Sequence, residues 1–190
     1  MEDPFAVREL QIRQPARMLP GRARYDIFDF DPGKKLIAVA AETEHRSALH
    51  TMAALVPRTR VLTVRSAAGE PMLTLVKRDE DWLTDVKEPD GQLIGRIQTG
   101  ETRRHYTLFD EADQLAGQAV GDLAVKQFSI TGPEGERLAR LRKTWAGLGK
   151  ELLTSSDHYT VTFTGPMSPR TRMLVVMVPI ILDMSRHGPY

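Results

Sequence analysis

Met173–Leu182, MLVVMVPIIL, holds ten residues without a charge near the end of a 190-residue chain. Ser168 suits a helix cap, Pro169 a first helical position, and Gly188-Pro189 a stop. A helix that is apolar on every side must lie in lipid or be enclosed by protein. Ten helical residues rise about 15 Å, half of a hydrocarbon core about 30 Å thick. A longer span takes in Arg170, Arg172, Asp183 and Arg186, each costly at membrane depth. The segment therefore reads as a core helix over about 169–186. Pro179 removes one backbone bond and should kink it around Val175–Val178.

Enclosing such a helix takes a shell, and four windows supply one: VLTVRSAAGEPMLTL (61–75), LTDVKEPDGQLIGRI (83–97), HYTLFDEADQLAGQA (105–119) and QFSITGPEGERLARL (127–141). Each begins 22 residues after the last, with Gly69, Gly91, Asp113 or Gly135 at its ninth position. Gly and Asp suit hairpin turns that need positive φ or a side chain closing on its own backbone. The flanks alternate. Leu62/Val64, Thr84/Val86, Tyr106/Leu108 and Phe128/Ile130 share one face, with Thr63, Asp85, Thr107 and Ser129 between them facing water. On the outgoing strands Gly95, Gly117 and Ala139 are small inward residues, so something bulky should approach them.

A weaker copy surrounds Asp157. An earlier one, YDIFDFDPGKKLIAV (25–39), turns at Asp31-Pro-Gly33 and is followed by an insert over 44–57, loop or short helix. Six hairpins make twelve strands. A propeller blade needs four strands, twice this period, whereas a meander that closes on itself fits the period and removes open edges. Twelve strands enclose more room than their own side chains fill, about eight being the number that packs solid. The expected fold is mainly β: a closed antiparallel twelve-stranded barrel of six hairpins around the buried C-terminal helix. Residues 25–190 form this domain, and 1–24 form a basic segment packing on or beside it.

Twenty-six Lys and Arg face 25 Asp and Glu, a net charge of +1, which excludes the strongly basic class of nucleic-acid binder. With no cysteine there is no disulfide or thiolate metal site, and a cytoplasmic setting is the default. The N-terminus has no apolar signal core. The five histidines make no His-Glu-x-x-His, GLGKE (147–151) lacks phosphate-loop spacing, and there is no Gly-x-Ser-x-Gly. Carboxylates sit where turns want them. In DEADQLAGQAVGD (110–122) the twelfth position, where a calcium loop closes with Glu, is Gly121. No catalytic residue, metal or cofactor is expected, and no enzyme.

Basic residues remain. Arg8, Arg13, Arg17, Arg22 and Arg24 stud the N-terminal segment; Arg96, Arg140 and Arg142 should face outward; Lys143 neighbours Trp145; Arg103 and Arg104 lie in a connection. Arg96, Arg103, Arg104, Arg140, Arg142 and Lys143 form a candidate set for anionic lipid head groups, against the simpler reading of a solvated strand face. Trp82 and Trp145 read as partial core rather than membrane anchors.

The segments VKEPDGQLIGRIQ (86–98), FSITGPEGERLARLRKTWAGLGKELLTSSDHYTV (128–161) and the helix ending in ILDMS (181–185) resemble the phospholipid scramblases and their plant LURP-one-related and bacterial relatives, within the Tubby C-terminal-like fold. The likeness spans roughly residues 25–187. It implies a twelve-stranded barrel enclosing a hydrophobic helix. Tubby proteins bind membrane phosphoinositides and scramblases are linked to lipid movement and calcium, so the resemblance implies a binding module peripheral to a membrane. The Pro-rich, Cys-rich N-terminal region of animal scramblases has no counterpart here. A protein-interaction or structural scaffold without a lipid role is the alternative.

Overall fold

Twelve strands follow one another along the chain: β1 (Glu9–Arg13), β2 (Arg24–Asp29), β3 (Leu36–Glu42), β4 (Thr59–Ser66), β5 (Pro71–Arg78), β6 (Leu83–Lys87), β7 (Leu93–Thr99), β8 (His105–Asp110), β9 (Leu115–Gly121), β10 (Gln127–Thr131), β11 (Arg137–Trp145) and β12 (Asp157–Phe163). Helix α1 (Pro169–Arg186) comes last. The structure, a computed structural model, describes residues 4–15, 23–30, 33–43, 59–78, 82–145 and 157–186. Every strand pairs antiparallel with its sequence neighbours, and β1 pairs with both β2 and β12, closing the barrel.

The 22-residue period is a repeated turn. Gly69, Gly91, Asp113 and Gly135 all have positive φ, at 91°, 91°, 58° and 82°. Each donates its N–H to the carbonyl three residues back: Ser66, Glu88, Asp110 and Gly132. The register slips by one residue just before each of these turns, which marks the bulge that lets a left-handed residue close a hairpin. The β2–β3 hairpin slips too, and Lys34 takes the positive φ there. The period stops short of Asp157, which opens β12 instead of sitting in a turn. The wall is completed from the N-terminal segment: β1 fits between β12 and β2 with Leu10 and Ile12 pointing inward. The 44–57 insert lies outside the described residues.

Alternation sets the two faces. All eight inward positions expected on the incoming strands, from Leu62 to Ile130, are at most 1% exposed. In the lumen α1 presents Leu174 to Val178 and Ile180 to Leu182 at 0–1% exposure, with Val175 and Ile181 at 0%. The helix lies nearest β7, β8 and β9. The reason is visible at Gly95, where an added Cβ would stand 2.2 Å from the Phe109 carbonyl oxygen and 3.0 Å from Leu174 Cδ1. A wall without a side chain at that point lets the helix come close.

Both ends of α1 are tied down. Ser168 Oγ accepts from Thr171 N at 3.0 Å, capping the first turn. Arg172 donates to the carbonyls of Phe5 and Val7 at 3.2 and 3.0 Å, its guanidinium 4.2 Å from the Phe163 ring centroid. The helix continues through buried Pro179, which has no N–H to give the Val175 carbonyl. Near its end Asp183, 0% exposed, accepts from the Tyr25 hydroxyl at 2.6 Å and from Gln14 Nε2 at 2.9 Å. A carboxylate near a helix C-terminus is disfavoured by the helix dipole, and these two donors compensate.

Candidate functional site

The outward faces carry Thr63 against Thr74, Asp85 against Arg96, Thr107 against Gln118 and Arg140 against Thr162. This polarity is inverted relative to a membrane-spanning barrel, which turns an apolar band to lipid. No helix among the described residues is long and apolar enough to cross a membrane.

Hairpin tips with the repeated turn share the end at which α1 begins, and they are rich in carboxylates. A cleft of about 490 Å³ there is flanked by Asp110, Glu111, Glu136 and Arg170. Arg170 is engaged by Glu88 at 3.3 Å and Glu111 at 2.6 Å. Asp110 Oδ1 accepts from Ala112 N and Gln114 N, so it holds its own turn.

Arg96 belongs to this acidic half. It bonds Asp113 and, at 3.2 Å, Asp85. Those bonds, Asp113 first and Asp85 second, raise its pKa above the ordinary arginine value. The register also separates it from Arg140. Arg140 lies in a row with Ser129, Val120 and His105, whereas Arg96 faces Phe109, four residues further along β8. Four strand steps are about 19 Å around the wall and four residues about 13 Å along it.

Arg142, Arg103 and Arg104 lie toward the opposite end, while Arg140 stands within the wall, as far past Gly135 as Arg96 is past Gly91. Arg142 pairs with Gln127 on β10. Arg103, at φ 53°, and Arg104 occupy the β7–β8 connection, and the Arg104 carbonyl accepts from Gly121 N at 2.7 Å. Lys143, by contrast, points into the barrel at 7% exposure, its ammonium 5.5 Å from the Tyr159 ring centroid. Alternation along β11 explains this: Arg140 and Arg142 face out, so Leu141 and Lys143 face in.

Sequence reasoning passed over Lys126. It is exposed, and its carbonyl accepts from Lys143 N at 2.7 Å, which sets it beside Arg142. Its signal was the period itself, since the left-handed residues Arg103 and Val125 at this end are also 22 apart. Among the described residues, Arg103, Arg104, Lys126, Arg140 and Arg142 are in no ion pair. An open groove of about 440 Å³ runs beside Arg140, lined also by Ser129, Gln127, Val120 and Asp122. Trp82 is 51% exposed, not the partial core residue expected. The Trp145 side chain lies outside the described part.

A closed twelve-stranded barrel wrapped around its own hydrophobic C-terminal helix defines the Tubby C-terminal-like class. An X-ray structure of a protein from Arabidopsis thaliana shares this fold, with a TM-score of 0.57 at 11% identity, covering 98% of this chain and 97% of that one. The chain belongs to the Scramblase family, which it matches over residues 24–187. No functionally curated protein matches the sequence.

Proposed function

We propose that this chain is a non-catalytic binding module, cytoplasmic and peripheral to the membrane, that holds anionic phospholipid head groups at the basic end of its barrel. The observation that carries this is the groove beside Arg140, with Arg142, Lys126, Arg103 and Arg104 around the same end and unpaired among the described residues. Guanidinium groups bind phosphate through paired N–H donors, and each cation near an anionic surface contributes about 1 kcal/mol. Ser129 and Gln127 add neutral hydrogen-bonding groups to the groove. Arg96 stands apart, occupied by two carboxylates. Lys143 supports the wall from inside.

The test is flotation of the full chain with vesicles of neutral phospholipid, alone or doped with anionic phospholipid, at low and high salt. Binding that requires the anionic lipid and falls with salt is expected. No flotation with anionic vesicles at low salt would overturn the reading and leave the scaffold alternative.

A further inference from the structure

The turn between β9 and β10 displays a leucine. Leu123 is 87% exposed, more than any other large hydrophobic residue among those described. The loop around it is held by its own hydrogen bonds. Asp122 N donates to the Gln127 carbonyl at 2.9 Å, Val125 N to the Asp122 carbonyl at 3.0 Å, and Lys126 N to Asp122 Oδ1 at 2.7 Å. Val125 has φ 54°, a region β-branched residues rarely adopt, and its side chain packs on the core. With Val125 turned in and the Asp122 carboxylate bound to its own loop, Leu123 is held outward by a hydrogen-bonded turn.

Its neighbours are cations. Lys126 is in the same turn, Arg104 is bonded through its carbonyl to the foot of β9, and Arg142 faces Gln127. Glu101, exposed in the β7–β8 connection, is a carboxylate at this end outside the turn. Trp82, also exposed, differs in company: it follows Asp79-Glu80-Asp81 in the sequence. An apolar side chain projecting beside Lys and Arg matches the boundary of an anionic bilayer, where phosphates lie above acyl chains.

We propose that the Asp122–Lys126 turn is a membrane-inserting finger. Leu123 enters the acyl boundary while Lys126, Arg104 and Arg142 meet phosphates, so the barrel docks by this end with its acidic hairpin tips away from the membrane. This rests on the head-group reading above and adds an orientation and an apolar contact to it.

The chain has no cysteine, so L123C and A112C each create one labelling site, the second on an exposed hairpin tip at the far end. Each is labelled with an environment-sensitive fluorophore and mixed with anionic vesicles containing acyl-brominated lipid. A blue shift and quenching at 123, with neither at 112, is expected. L123D should weaken flotation about tenfold, the loss of a partly buried leucine. If the unlabelled protein floats but the label at 123 stays in water, or the label at 112 is quenched instead, the finger is overturned and the head-group reading stands. If the protein does not float, both fall.

Discussion

Replacing Asp183 with Ala tests whether the polar lock at the end of α1 holds the helix in the barrel. The carboxylate accepts from Tyr25 and Gln14, which are 0% and 4% exposed, so neither donor recovers a water when it is lost. Hydrogen bonds to a charged group contribute about 1.5–3 kcal/mol each, so losing both costs about 3–6 kcal/mol. The second figure is the expected loss for Asp183→Ala. In urea unfolding, with a slope of about 2.5 kcal/mol/M, the midpoint falls by about 1–2 M. Tyr25→Phe removes one donor and leaves the Gln14 bond, so it should cost about half as much. In a double-mutant cycle the pair should couple by about 1–3 kcal/mol. A midpoint shift below about 0.5 M for Asp183→Ala at unchanged slope, or additive single variants, would refute the lock. Should the alanine variant fail to fold, the Tyr25→Phe midpoint still reads the bond.

Two glycines separate backbone strain from collision. Gly91→Ala has nothing within 4 Å of its new Cβ but sits at φ 91°, so thermal unfolding should show a loss of about 1–2 kcal/mol; Gly95→Ala meets the Phe109 carbonyl and Leu174 and should cost more, about 3 kcal/mol. Ending the chain after Thr164 removes α1, and near-UV circular dichroism should then show no native packing, because the wall alone leaves its apolar lumen wet. Arg140→Glu with Arg142→Glu should weaken flotation on anionic vesicles at least about tenfold with stability nearly unchanged, since both are exposed and unpaired among the described residues. Arg96→Glu should leave flotation unchanged, because its guanidinium faces Asp85 and Asp113 on the other half of the barrel.

Where a residue's role is local, the sequence carried it. Alternation placed Leu62 through Ile130 inside, and the spacing of Gly69, Gly91, Asp113 and Gly135 located four left-handed turns, because both features follow from the backbone of one hairpin. The uniformly apolar run around Val176 carried the core helix for the same kind of reason. What escaped depends on which strands meet. Glu9–Arg13 is five residues long and becomes a wall strand only because β12 and β2 leave a gap for it. Arg96 and Arg140 occupy equivalent places in the repeat yet lie four strands apart with opposite company, which spacing alone does not reveal. Lys143 could have been read as inward from the parity of Arg140 and Arg142, but a lysine in a core runs against composition. Leu123 was hidden by its ordinariness: one leucine between two strands signals nothing until its exposure is seen.

A family linked to lipid movement raises the question whether the barrel is itself a conduit, and its geometry argues against that. The lumen is filled by α1, whose residues Leu174 to Val178 and Ile180 to Leu182 are at most 1% exposed. Clearing it would expose side chains that contribute about 1.5–3 kcal/mol each as an upper bound, a total comparable with the whole stability of a domain, about 5–15 kcal/mol. Arg172 at one end and Asp183 at the other oppose the same movement. Nor does the outer wall offer lipid an apolar surface, with Asp85, Arg96, Gln118 and Arg140 along it. On the head-group reading proposed above, lipid is met from outside the wall, at the basic end. In vesicles carrying a fluorescent phospholipid in both leaflets, a membrane-impermeant reductant should bleach the outer-leaflet share and no more, even at protein concentrations where flotation is complete. Bleaching of the inner leaflet by the folded wild-type chain would show that the barrel opens, and would refute a helix permanently seated in its lumen.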